Sequence, residues 1–69
     1  MLHSEMATFA ARHSLSPEQA VVLPALFSNV SKKTGHSERQ LVADATFNNP
    51  KLGEYLASVA REVAAQVAA

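Results

Sequence analysis

Ser16-Pro17-Glu18-Gln19-Ala20-Val21-Val22-Leu23-Pro24-Ala25-Leu26-Phe27 opens with a capping hydroxyl, puts proline at the first helical position and then runs apolar on almost every side. A serine at a helix start accepts hydrogen bonds from backbone N–H groups that the first turn leaves unpaired, and proline has no such group to leave unpaired. Gln19 stands three residues after Ser16, the spacing at which its side chain can reach back to the cap's own N–H. From Ala20 to Phe27 the run is apolar all round, the pattern of a central helix touched from several sides. Pro24 interrupts it. At that depth proline removes the bond to the carbonyl four residues back and crowds the same group, which costs about 3 kcal/mol in a regular helix. No capping residue stands at position 23 to start a fresh helix, so the expectation is one helix kinked at Pro24. It should run to Thr34 and close at Gly35, with Lys32 and Lys33 at the negative end of its dipole.

Working outward, three more start signals divide the chain. Ser4 precedes a short amphipathic run, Ser37-Glu38-Arg39-Gln40 repeats the serine-to-glutamine spacing, and Asn49-Pro50 pairs a capping amide with a proline at the first helical position. Helices are therefore expected over about 5–13, 17–34, 38–47 and 50–68. In the third, Leu41, Val42 and Ala45 should point inward, with Arg39, Gln40, Ala43 and Asp44 outward. The fourth carries Leu52, Leu56, Val59, Ala60, Val63 and Val67 on one stripe, and Gly53 near its start marks a place where another backbone could approach closely. The fold class is all-α: a single helical domain over 1–69, four helices, the second kinked, with a helix-turn-helix-like corner between the second and third.

The composition narrows the function classes. A hydrophobic fraction of 48% is too high for a disordered chain, but much of it is alanine. The large apolar side chains are few: Phe9, Leu15, Leu23, Leu26, Phe27, Leu41, Phe47, Leu52, Tyr55 and Leu56, with several valines. A core this thin favours self-association. Six basic residues balance six acidic ones, so no broad positive field is available for nonspecific nucleic-acid binding. The first residues have no basic stretch followed by an apolar one, and no run of about 18 apolar residues occurs, so neither a signal peptide nor a membrane span is expected. A cytoplasmic location follows as the default.

Catalytic signatures are missing from the sequence. There is no cysteine, and none of His3, His13 and His36 stands four residues from another, so no helical pair of imidazoles forms. No Gly-x-Ser-x-Gly elbow is present, and two glycines are too few for a phosphate-cradling loop. The expectation is a protein that is not an enzyme, with no cofactor, no metal and no small-molecule substrate.

Two interaction surfaces remain. Leu52, Leu56, Val59 and Val63 alternate spacings of four and three like a seam over about two heptads, with Gln66 on the next seam position. Leu56, Val59, Val63 and Val67 extend towards the end of the last helix. They are the candidate interface of a homo-oligomer or of a contact with a partner protein. The second surface lies within 20–47, which has the outline of a helix-turn-helix with Gly35 in the turn. There Arg39 and Gln40 would meet base edges, and Lys32, Lys33 and His36 would face phosphates. Departures count against it: His36 stands where an apolar residue is usual, and Glu38 and Asp44 would bring negative charge to the duplex. The leading expectation is a small non-enzymatic interaction module, self-associating or docking on a partner protein; the alternative is a small DNA-binding or accessory regulatory protein.

Overall fold

Four helices form in the computed structural model, which describes the backbone of residues 2–68 and the side-chain surroundings of residues 4–67. They are α1 (Leu2–Arg12), α2 in two arms (Pro17–Ala20 and Leu23–Thr34), α3 (Glu38–Ala43, continued by a π-helical turn, Asp44–Asn48) and α4 (Pro50–Ala68). No strand occurs among the described residues.

The caps explain most of the boundaries. Gln19 donates its backbone N–H to Ser16 Oγ at 3.2 Å, and Ser16 donates its own N–H to Gln19 Oε1 at 2.9 Å, closing the reciprocal box. Ser37 receives the Gln40 N–H at 3.1 Å, but the second half of that box is not made. The Gln40 side chain instead donates to Asp44 Oδ1 at 3.0 Å, because an acceptor one turn ahead competes for the amide. Asn49 caps α4 by accepting the Leu52 N–H on its side-chain oxygen. Gly35 ends α2 with φ +80°, in the left-handed region where glycine has no steric cost.

Helix α2 is bent by 32° near Val21 and Val22, just ahead of Pro24. Both residues keep right-handed helical angles, so the helix kinks without breaking. The Val22 N–H reaches only three residues back, to the Gln19 carbonyl at 3.4 Å, and the regular spacing resumes when Leu26 donates to Val22 at 3.0 Å. The strain of the proline ring is thus absorbed in the preceding turn.

Helix α1 corrects one expectation. It begins at Leu2, so Ser4 lies inside the helix and is no cap; its carbonyl accepts the Thr8 hydroxyl at 3.0 Å. Nothing between Leu2 and Ser4 breaks a helix, and docking of Met6 and Phe9 holds the first turns in place. The imidazole of His3 lies outside the described side chains. At its other end α1 closes with a left-handed serine, Ser14 at φ 55°. Leu15 N–H donates to the Ala10 carbonyl and Ser14 N–H to that of Ala11, the two bonds of a Schellman closure in which glycine is the usual occupant.

The π-helical turn follows from Pro50. Asn49 donates its N–H to the Asp44 carbonyl at 2.7 Å, one residue further back than in an α-helix. The Ala45 carbonyl has thereby lost its partner four residues ahead, and the residue five ahead is Pro50, which has no N–H. That carbonyl turns towards α4 at Gly53, where an added Cβ would collide with Ala45 O. The close approach read from Gly53 in the sequence is therefore present.

The core draws on every helix: Met6, Phe9 and Ala10 from α1, Leu23 and Phe27 from α2, Leu41, Val42 and Ala45 from α3, and Leu56, Ala57 and Ala60 from α4. Phe9 and Phe27 meet edge to face with centroids 5.5 Å apart. Two of the large apolar residues counted for this core are outside it: Phe47 is 60% exposed and Tyr55 66%. At 100° per residue Phe47 falls roughly 240° around the helix from Leu41, on the outward side.

Gly53→Ala should destabilise the fold by about 1–3 kcal/mol, although alanine is the better helix former by about 1 kcal/mol. Urea denaturation checks it, and a variant as stable as the parent would contradict the close approach. Ser14→Gly should raise stability by up to about 1 kcal/mol in the same assay, since glycine holds the left-handed angle without strain; a loss would mean that the serine side chain has another role there.

Candidate interaction surface

Helix α4 has more apolar surface than its own chain covers. Gly53, Leu56, Ala57 and Ala60 are buried, and Val59 is half-buried. Beyond them the burial stops: over residues 61–67 only Ala64 is half-buried and the rest are exposed. Val63 is 36% exposed and Val67 78%. With Tyr55 included, the apolar arc of α4 covers roughly 200° of the helix at 100° per residue, about twice the stripe that packing on one core requires. The helix is about 28 Å long at 1.5 Å per residue, close to the 31 Å long axis of the molecule, and its last two turns, which hold no buried residue, form an exposed arm. Arg61 fixes the base of that arm by donating from Nη2 to the His13 carbonyl at 2.8 Å.

Alongside this stripe runs a groove of about 410 Å³ between α2 and α4, lined by Leu26, Val30, Lys33, Tyr55, Leu56 and Val59 among others. Of the interface residues expected from sequence, Leu56 is a core residue, 1% exposed, that reaches the groove wall. Val59 stands between core and groove, while Val63 and Val67 continue the stripe along the arm. Tyr55 escaped the sequence reading because it was counted as core. Its place one turn before Val59 was the available signal.

The helical corner presents the other set. Lys32, Lys33, His36, Arg39 and Gln40 are all exposed, grouped before and after Gly35. The turn is held by Ser31 Oγ, which donates to the His36 carbonyl at 2.6 Å, and by Thr34 Oγ1, which accepts the His36 N–H at 3.3 Å. Gln40 is engaged by Asp44, whose Oδ1 also accepts from Asn48 at 3.1 Å. That carboxylate sits one turn along the helix from the residue expected to read bases.

Among the described residues, no three of His, Asp or Glu come together as a metal site would require. No helix is long and apolar enough to cross a membrane. No protein-family model, curated protein or solved structure matches the chain.

Proposed function

We propose that this protein is a small non-enzymatic interaction module that associates with a second copy of itself through α4. One observation carries the reading: the apolar series Val59, Val63 and Val67 continues along two helical turns, residues 61–67, in which no residue is buried. The arm extends an already nucleated helix, so each of its residues adds only the small gain of propagation, and its last turns fray unless something covers them. A covering surface supplies what the arm lacks. A stable contact buries at least about 1,000 Å² in total, more than two exposed valines per copy can contribute, so the interface must also take in Tyr55 and the adjoining groove. Docking of a different protein on the same face is the variant of this reading that the self-association test separates.

A second reading, duplex DNA binding by the corner between α2 and α3, draws on the exposure of Lys32, Lys33, His36 and Arg39 around one turn. The engagement of Gln40 by Asp44 and the balanced charge of the chain weigh against it.

Sedimentation of the full chain at high micromolar concentration should give a mass above that of the monomer, and Val63→Glu should return it to the monomer, because a carboxylate desolvated in the contact would be unpaired. A monomeric parent would rule out self-association. For the second reading, binding to mixed-sequence duplex DNA should be absent at low salt. Binding that weakens steeply with salt and is lost in Lys32→Ala would instead favour the corner, since phosphate contacts release counterions.

A further inference from the structure

Tyr55, Val59, Val63 and Val67 follow one another along α4 at every fourth position, evenly placed about Arg61. The first two wall the groove of about 410 Å³ against α2, and the last two lie on the exposed arm. One half of the series borders a groove without an occupant, and the other half is a pair of valines without a cover. We infer that two copies pair with their α4 helices antiparallel about a two-fold axis near Arg61, so that Val63 and Val67 of each copy seat at the α2–α4 groove of the other. This arrangement rests on the self-association proposed above and fixes which surfaces meet in it.

The spacing sets the register. A two-fold axis perpendicular to the helices at residue 61 exchanges position 55 with 67 and position 59 with 63. At 1.5 Å per residue the step from Tyr55 to Val59 and the step from Val63 to Val67 are both about 6 Å, so the arm of one copy matches the groove wall of the other. Residues four apart form the ridge that a helix presents to a facing helix. Arg61 lies roughly 160° around α4 from both Val59 and Val63 at 100° per residue, and its guanidinium is engaged by the His13 carbonyl, so like charges do not meet at the axis.

Area and charge favour the antiparallel pair. It adds Tyr55, Val59 and the α2 wall, Leu26 and Val30, to the two exposed valines, twice over, which brings the contact towards the roughly 1,000 Å² of a stable dimer. Lys33 is exposed on the α2 wall of the groove, and Glu62 is exposed beside Val63. Glu62 falls only about 20° around α4 from Tyr55, on the flank that faces the groove. The antiparallel register carries Glu62 of one copy to the level of Ala60 in the other, on the side of Lys33, once at each end of the contact. A parallel pair would set Glu62 against Glu62, bring arm to arm and leave both grooves open. A foreign helix could fill the groove and would leave the arm bare.

The chain has no cysteine, so introduced ones report the geometry directly. Tyr55→Cys and Val67→Cys, both at exposed positions, are mixed in equal amounts with one of them ¹⁵N-labelled, oxidised mildly and read by mass spectrometry. The inferred register sets position 55 of one copy against position 67 of the other. It holds the two copies of position 67 about 18 Å apart, beyond the roughly 7 Å between Cα atoms that a disulfide spans. Mixed disulfides should therefore form at least about tenfold faster than disulfides of Val67→Cys with itself. Faster self-coupling of Val67→Cys, or mixed coupling no faster than in urea, would overturn the arrangement. Charge reversal gives a second readout that leaves the apolar contact intact. Lys33→Glu and Glu62→Lys should each raise the dimer Kd roughly fivefold, and the two together should restore it; a double variant weaker than either single one would contradict the pairing. A monomeric parent in sedimentation would defeat self-association itself, whereas a dimer that couples position 67 to position 67 would defeat only the antiparallel arrangement.

Discussion

The Ala45 carbonyl set against Gly53 determines how the two halves of this small protein meet. Pro50 provides no N–H, Asn49 bonds one carbonyl further back, and the released Ala45 oxygen points into α4 at the one position there without a side chain. Below Gly53 the same face of α4 continues with Ala57 and Ala60, both fully buried. The alanine-rich composition is thus partly a consequence of close packing. Small residues lie where backbones approach, and the large ones, Phe9, Phe27, Leu23 and Leu56, fill the space between the helices.

This arrangement also accounts for what is left uncovered. With α3 and α1 held at the start of α4, the body ends near Ala60 while the helix continues for two more turns. The stripe that served as core up to Leu56 then becomes surface, and Tyr55 and Val59 extend it sideways into the groove against α2.

Much of the fold was legible in local sequence. Ser16, Ser37 and Asn49 act as caps, Gly35 takes the left-handed closure, and Pro24 bends its helix without breaking it, because each of these depends on backbone groups within one turn. Gly53 was legible for a related reason: glycine early in a strong helix is unfavourable unless something occupies the space. What escaped depends on distant partners. The start of α1 was misplaced at Ser4, since docking of Met6 and Phe9 outweighs a capping preference. The left-handed Ser14 has no glycine to announce it, and the π-helical turn has no residue signature apart from the Asn49-Pro50 pair that ends it. Phe47 was counted as core on its chemistry alone, whereas its angular position directs it towards Arg12.

Amide hydrogen exchange of residues 61–67, measured over a hundredfold range of protein concentration, tests the central claim most directly, since the arm makes too few contacts within its own chain to be protected alone. The account predicts that protection of these amides rises with concentration while that of the buried turns around Phe27 and Leu56 does not. Concentration-independent exchange along the arm, whether fast or slow, would contradict it.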